Sequence, residues 1–232
     1  MAALNGWYAP DGTPTAAAAR EAPAVRRGRL PGRQRRPYFV CGHFAAPHGR
    51  YATQAIQLFD HCEGFAMLFD FGQPTDGLIQ MAFVVEDLDA AMARFSESFR
   101  VGPWTVLRDF AGENPRYRGE PSQARAHVAL GFGGHMQYEL IQPADELPSV
   151  HRDVITQQGY GFHHFGYATT AFDETVEAMH RKGYETVFSA SVGSDSRVAY
   201  FDTRDVLPGM TELIEASPGL DATFTDMYKA SL

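Results

Sequence analysis

Hydrophobic and polar residues follow the same order twice along the chain beyond residue 77. Residues 78–85 (LIQMAFVV) and 161–168 (GFHHFGYA) are short apolar runs, which predict β-strands. Each run is followed by apolar residues at helical spacing, beginning with Leu88 in the first half and with Phe172 in the second. The chain is therefore an internal repeat in which each half begins with a strand and a helix.

Polar residues and a glycine mark where the two predicted helices begin and end. Asp87 is the predicted N-cap of the first helix, because its side chain can accept a hydrogen bond from the first turn. Thr170, with Asp173 three residues later, resembles a capping box for the second helix. Gly183 is its predicted C-terminal stop. A further helix is predicted near residues 150–157, between the two halves.

Three strand-like runs follow each predicted helix, so each half has the order βαβββ. They cover residues 104–110, 126–132 and 137–142 in the first half, and residues 185–192, 197–202 and 211–215 in the second. Gln80 and His164 lie 84 positions apart at matched places, whereas Glu139 and Glu212 lie 73 apart. The difference, 84 − 73 = 11 residues, predicts an insertion within the polar loop GENPRYRGEPSQAR. The predicted fold class is α+β, with two tandem βαβββ modules.

The repeat divides the chain into predicted regions. Residues 1–37 carry seven Arg against Asp11 and Glu21, with many Ala and Pro, a composition typical of a disordered basic tail. Such a segment can also be a transit peptide, although no hydrophobic signal segment follows it. The other regions are an N-terminal extension (38–77), a repeat domain (78–217) with modules 78–143 and 161–217, and a C-terminal tail (218–232).

Net charge and composition narrow the expected partners. The formal charge is −8, and subtracting the +5 of residues 1–37 leaves −13 on the rest, so we expect no nucleic acid partner. We also expect no membrane span, because the sequence has no apolar run of about 18 residues. Cys41 and Cys62 are too few for a disulfide scaffold and lack the paired spacing of a structural zinc site. A cytoplasmic location is therefore expected.

Four polar side chains occupy duplicated places among apolar strand residues. Gln80 lies on the strand face opposite Met81 and Phe83, because side chains alternate along a strand. His164 has the same parity in the second half, opposite Phe165. The closing runs QYELIQ and MTELIE each place one glutamate among apolar residues. If the two halves fold alike, one cavity wall would carry Gln80, Glu139, His164 and Glu212.

A shared divalent ion would explain carboxylates in apolar strands, because a buried carboxylate without a cation is costly. One imidazole, one amide oxygen and two carboxylates suit Zn²⁺, Ni²⁺, Co²⁺, Mn²⁺ or Fe²⁺, and the absence of a thiolate argues against a purely structural zinc site. Simpler explanations exist for each residue. Gln80 could face solvent, one of His163 and His164 could be a packed core residue, and the glutamates could be edge-strand charges.

The segments IQMAFVVEDLDAAM and FHHFGYATTAFDETV, with the closing YELIQP and TELIEA, resemble the vicinal oxygen chelate superfamily, also called the glyoxalase, bleomycin resistance and dioxygenase superfamily. The resemblance covers residues 78–217. It implies paired modules that form a cupped mixed sheet around a metal ion, with helices outside. The implied metal ligands lie on the first and last strands of each module, and they are Gln80, Glu139, His164 and Glu212.

Two details of the resemblance concern the branch of the superfamily. Gln80 stands where the family more often has His, and a Gln, Glu, His, Glu set is similar to that of some glyoxalase I enzymes. The segment Gly102-Pro103-Trp104 is more similar to the methylmalonyl-CoA epimerase-like branch. An extradiol dioxygenase is not favoured, because Gln80 interrupts the two-His, one-carboxylate site of that class.

The resemblance implies a lyase or isomerase that abstracts a proton next to a carbonyl of a small or thioester substrate. The ion would stabilise the enediolate or enolate as its charge develops. Glu212 and Glu139 are the candidate bases, and Glu212 is favoured. Arginines near the insertion could bind a glutathione or CoA thioester, but loop arginines are commonly solvated, so the substrate stays open.

A second class of function is a metal-free protein that binds or sequesters a small molecule, as bleomycin resistance proteins do. In that case an aromatic or hydrophobic molecule would pack against Trp104, Phe132 and Phe162. An inactive interaction module is a third alternative. Because both modules lie in one chain, one molecule can complete the cup, and a homodimer is compatible with the fold.

Overall fold

The computed structural model describes residues 67–232. The predicted basic tail (1–37) and residues 38–66 of the predicted extension lie outside these residues. The described elements are β1 (Gly77–Val84), α1 (Leu88–Phe99), β2 (Thr105–Phe110), β3 (Glu113–Tyr117), β4 (Glu120–Pro121), β5 (Ala126–Gly133), β6 (Met136–Pro143), α2 (Val150–Gln158), β7 (Gly161–Thr169), α3 (Phe172–Arg181), β8 (Thr186–Val192), β9 (Ser196–Phe201), β10 (Met210–Glu215) and α4 (Pro218–Ala230).

The strands form one curled mixed sheet of ten strands in the order β2-β5-β6-β1-β7-β10-β9-β8-β3-β4. The first four of these belong to the first module and the next four to the second, which confirms the predicted α+β fold of two βαβββ modules. In each module the opening and closing strands pair in parallel, β1 with β6 and β7 with β10. The modules join where β1 and β7 run antiparallel.

The register of this junction reproduces the offset read from the sequence. Gln80 lies opposite Gly166, and Ala82 lies opposite His164. The offset of 84 converts one pair into the other, since 80 + 84 = 164 and 82 + 84 = 166, as a local two-fold axis requires. Ala82 also lies opposite Glu139 on β6, as Gly166 lies opposite the second glutamate on β10. The two halves therefore present equivalent side chains on the same face of the sheet.

The predicted insertion forms a hairpin of its own. Strands β3 and β4 pair with each other, and β3 pairs with β8, so residues of the first module extend the far edge of the second. The Tyr117 hydroxyl donates to Asp153 Oδ2 of α2 at 2.8 Å, and the Arg118 guanidinium donates to the same oxygen at 3.0 Å. The polar sequence of the loop lacks the alternation of apolar and polar residues that predicts strands, so the sequence does not predict this pairing.

The helix boundaries agree with those predicted from the sequence, except at the N-cap of α3. Asp87 caps α1 as predicted, accepting from Ala90 N at 2.9 Å. The capping box predicted at Thr170 is wrong, because α3 has no side-chain cap and the Thr170 amide and hydroxyl donate to Asp76 instead. Gly183, at φ 90°, follows the end of α3, as expected for a stop.

Helices cover both faces of the sheet. We define the inner face as the face that carries Glu139 and Glu212. Leu88 of α1 packs on the opposite, outer face against Leu140, and α3 packs on β10. The inner face is covered by α2, by α4 and by residues 67–76, and its core includes Phe71 and Phe224. Residues 218–232, assigned from the sequence to a C-terminal tail, thus contain a helix that packs on the sheet.

The described helices also bear on the membrane prediction. Within residues 67–232, no helix combines the length and the hydropathy that a membrane span needs.

We expect Phe71→Ala to lower the free energy of unfolding by about 3–5 kcal/mol, because the side chain is fully buried and packs on three rings. Its ring centroid lies 4.9 Å from that of Phe69, 5.5 Å from Phe132 and 6.0 Å from Phe224. Urea denaturation measures the effect. Met67→Ala, at a side chain with 68% exposure, is the control and should change stability little. Equal stabilities would show that residues 67–76 do not belong to the folding unit.

Candidate metal centre

All four side chains predicted as metal ligands meet at one point on the inner face. His164 Nε2 lies 3.0 Å from Glu212 Oε2, 3.3 Å from Glu139 Oε2 and 3.1 Å from Gln80 Oε1. They come from four adjacent strands at the centre of the sheet, β6, β1, β7 and β10. Gln80, His164 and Glu212 are buried, and the side chain of Glu139 is 13% exposed.

One nitrogen cannot satisfy three oxygens, because His164 Nε2 carries at most one proton. Glu139 Oε2 is buried and makes no hydrogen bond of adequate geometry, although it lies close to the imidazole. The Gln80 amide donates to Gln137 Oε1 at 2.8 Å, which turns its own oxygen toward His164. The cluster therefore offers three oxygens and one nitrogen with too few protons between them, a donor set that fits a divalent cation.

His163 sets the orientation of His164. His163 Nδ1 lies 2.8 Å from His164 Nδ1, and its Nε2 lies 3.4 Å from the Val150 carbonyl. Burial lowers the pKa of His163 well below the ordinary value, so this ring is neutral. With its one proton directed to Val150 O, His163 must accept at Nδ1, and His164 must donate from Nδ1. His164 Nε2 is then the atom left for a metal ion or a second proton.

Burial and the neighbouring charges have opposite effects on the pKa of His164. Burial lowers the pKa of His164, but the carboxylates of Glu212 and Glu139 outweigh burial and raise that pKa to about 9. Burial also raises the pKa of Glu139, and His164 offsets only part of that effect. The ring of His151, 5.1 Å from that of His163, is neutral because burial lowers its pKa to about 3. Without a metal ion, the proton on His164 supplies the positive charge.

Tyr200 is a site residue that the sequence did not reveal. It lies opposite Glu212 in the register of β9 and β10, and its side chain is buried. Its ring meets the ring of His164 edge to face, with centroids 4.9 Å apart. Burial raises the pKa of Tyr200 well above the ordinary value, so the hydroxyl keeps its proton. Only the pairing of β9 with β10, which is not local in sequence, could have identified it.

A cavity of about 440 Å³ lies over the cluster. Glu139, Glu212 and Gln80 line it together with apolar residues of the sheet and of α4. None of Trp104, Phe132 and Phe162 lines it, so the aromatic wall expected from the sequence is wrong; the lining rings are those of Phe110, Phe188, Tyr200 and Phe224.

A bulge in β7 explains why Phe162 is misplaced. Ala82 pairs with His164, but the next residue, Phe83, pairs with Phe162, so His163 is an extra residue in the strand. Because of this extra residue, Phe162 lies on the opposite face of the sheet from His164, although the two residues are two positions apart. The Phe162 ring packs beside Phe83 instead, with centroids 5.5 Å apart.

The family model for the glyoxalase/bleomycin resistance protein/dioxygenase superfamily matches residues 79–201. The chain belongs to this superfamily. The match spans β1 to β9 and thus includes three of the four clustered residues, and the last one, Glu212, follows it on β10. No curated protein matches the chain in a sequence search.

Several solved structures are similar to this chain in fold, at low sequence identity. A hypothetical protein from Bacillus halodurans has 16% identity and a TM-score of 0.48, covering 61% of this chain and 95% of that chain. Methylmalonyl-CoA epimerase from Mycobacterium tuberculosis has 21% identity and a TM-score of 0.46, covering 63% and 91%. A methylmalonyl-CoA epimerase in complex with methylmalonyl-CoA has 18% identity and a TM-score of 0.47, covering 62% and 96%.

We expect binding of a divalent ion to release the proton of His164. The pKa of about 9 means that Nε2 is protonated at neutral pH, whereas a ligand nitrogen must be free of its proton. The apparent affinity should rise about tenfold per pH unit up to about pH 9 and then level off. Calorimetry of Zn²⁺ binding at pH 7.5, in buffers of different ionisation enthalpy, counts the released protons. Release of no proton would contradict the charge state assigned to His164.

We expect His163→Phe to weaken metal binding by roughly 10–100-fold, because it removes the acceptor for His164 Nδ1–H. His163→Asn should retain most of the affinity, since its side-chain oxygen can take the place of Nδ1. His151→Phe is the matched control, because it also replaces a buried histidine but makes no contact with a predicted ligand through a hydrogen bond. Competition with a chromogenic chelator measures all three, and equal affinities for the Phe and Asn variants would contradict the orienting role.

Proposed function

We propose that this protein is a divalent-metal-dependent lyase or isomerase, of glyoxalase or epimerase type, that abstracts a proton next to a carbonyl. The observation that carries the proposal is the set of three oxygens gathered at 3.0–3.3 Å around His164 Nε2 at one end of a cavity. Gln80, Glu139, His164 and Glu212 would hold the ion. A bound divalent ion supplies a Lewis acid that stabilises an oxyanion next to the reacting carbon.

The surroundings of the two glutamates support different roles for them. Glu212 is the more buried of the two, with 7% of its side chain exposed against 13% for Glu139. Glu139 Oε2 makes no hydrogen bond, and burial raises the pKa of Glu139. A base with a pKa raised toward neutrality is effective, so we assign proton abstraction to Glu139 and anchoring of the ion to Glu212. The sequence alone had favoured the opposite assignment.

The cavity supports a small substrate whose reacting carbon lies at the glutamate end. The polar groups converge there, and the apolar walls exclude water from the site, which strengthens each electrostatic interaction. If the proton returns to the neighbouring carbon, the reaction is a glyoxalase-type isomerisation; return to the opposite face gives an epimerisation.

The apolar walls of the cavity also favour a second candidate, the metal-free binding protein. That function would need the cavity but not the convergence of two carboxylates on one imidazole. Metal content separates the two candidates.

We expect protein purified without added metal to contain about one divalent ion per chain, measured by elemental analysis. Glu212→Gln should lose most of this metal. Glu139→Gln should retain it at reduced affinity and lose proton exchange by about 10²–10⁴-fold, because general base catalysis contributes about that factor. Exchange is followed by NMR in deuterated water, as loss of the C–H signal next to the carbonyl in a panel of α-hydroxy ketones, 2-oxoaldehyde hemithioacetals and acyl thioesters.

Glu177→Gln is the control for both measurements, because Glu177 is an exposed glutamate of α3. Wild-type protein without a divalent ion that binds an apolar ligand unchanged would overturn the enzyme proposal in favour of the binder.

A further inference from the structure

We propose that the cavity selects neutral carbonyl compounds with a hydrocarbon or aryl body and excludes substrates that carry a carboxylate or a phosphate. This inference rests on the proposed function, since it assumes a divalent ion at the four clustered residues. It goes further by naming the charge and polarity of the substrate, which membership of the superfamily leaves open.

The first argument is the charge balance at the floor of the cavity, the end that is lined by Gln80, Glu139 and Glu212. Two carboxylates, Glu139 and Glu212, balance one divalent ion, and Gln80 and a neutral His164 add no charge. A substrate carboxylate would therefore leave a net negative charge in a buried site. Such a charge is costly unless a cation lies close to it.

The second argument is that carboxylates outnumber cationic side chains in the described lining of the cavity. Arg125 is the single lysine or arginine among the described lining residues, and it lies exposed at the mouth. Its guanidinium already donates to the Asp109 carbonyl at 2.8 Å. On the other side of the cavity, the lining includes the carboxylate of Asp195, which adds negative charge. The lining therefore contains three carboxylates, Glu139, Glu212 and Asp195, against one arginine.

The described lining of the neighbouring outer cavity also lacks a row of unpaired cationic side chains. This cavity, of about 690 Å³, shares Phe110 and Arg125 with the inner one and is also lined by Arg108. Arg108 is paired with Asp89 at 2.8 Å, and Asp109 and Glu113 lie in the same lining. The charges of the outer cavity are thus mixed, whereas phosphate recognition normally relies on unpaired cations or on backbone amides at a helix N-terminus.

The third argument is the chemistry of the walls. Most of the other lining residues are aliphatic or aromatic, among them Val128, Ile141, Phe188, Ile214, Leu220 and Phe224. Polar lining residues such as Ser149, His151 and Ser196 are the minority. A volume of 440 Å³ suits a small molecule, because small-molecule sites occupy about 300–1,000 Å³. The body of such a ligand gains affinity by burying apolar surface, and a charged body would lose its hydration without compensation.

Three probes that share the same metal-chelating 1,2-dione group test the inference. They are 1-phenylpropane-1,2-dione, its 4-carboxamide and its 4-carboxylate, so the last two differ in charge but hardly in size. Their binding to the metal-loaded full chain is measured by calorimetry. We expect the phenyl compound to bind best and the carboxylate to bind at least about tenfold more weakly than the carboxamide, about 1.4 kcal/mol. Binding of the carboxylate as tight as that of the carboxamide would overturn the inference.

A variant of the lining adds an independent readout. Thr223 is an exposed lining residue of α4, so Thr223→Lys places a cation at the cavity without removing a core side chain. It should raise the affinity for the carboxylate about fivefold, whereas Thr223→Gln should not. Equal effects of the two variants would contradict the explanation by charge.

Failure of this inference and failure of the proposed function give different results. A chain that holds stoichiometric metal but prefers the carboxylate retains the proposed function and loses the selectivity. A chain that prefers the neutral probes equally with and without metal retains the selectivity and loses the metal-dependent function.

Discussion

The central physical constraint in this structure is the burial of two carboxylates side by side on one face of the sheet. Glu139 and Glu212 both reach the imidazole of His164, and removing such charges from water is costly unless positive charge lies close. In the absence of a metal ion, the imidazolium meets this demand, which is why the pKa of His164 is about 9 despite its burial. A divalent ion would meet the same demand more fully. Proton affinity and metal affinity therefore have one physical cause here.

The constraint can be met only where the two modules join. Within the first module, pairing of β1 with β6 brings Gln80 near Glu139, and within the second, pairing of β7 with β10 brings His164 near Glu212. Neither module alone offers more than two donors. The antiparallel pairing of β1 with β7 makes one cluster from the two pairs. The site is thus a product of the repeat, and each half contributes one carboxylate and one neutral donor.

The sequence predicted what depends on local pattern and on repetition. The strands, α1 and the equivalence of Gln80 with His164 could be read from alternation and from the offset between the two halves. Tyr200 could not, because its position beside Glu212 depends on how β9 pairs with β10. The bulge at His163 reversed one face assignment, since alternation assumes a regular strand.

The helices over the inner face were harder to predict for a related reason. The apolar residues of α4, Leu220, Phe224 and Met227, have helical spacing, but a short amphipathic segment at the end of a chain does not reveal the surface that it covers. That surface exists only once the sheet has curled. The hairpin of β3 and β4 is a similar case, because its role is to pair with a strand of the other module.

Covering the inner face is what gives the glutamates their chemistry. Carboxylates on an open sheet would be hydrated, and their attraction for His164 would be weaker. Here α2 and α4 close the space above them, and the inserted hairpin holds α2 through the bonds of Tyr117 and Arg118 to Asp153. The same closure removes water, strengthens the electrostatics of the floor and leaves apolar walls. Two carboxylates at one end of a mostly apolar cavity favour a divalent ion there and a neutral molecule beside it, so the proposed metal binding and the proposed selectivity would have one structural cause.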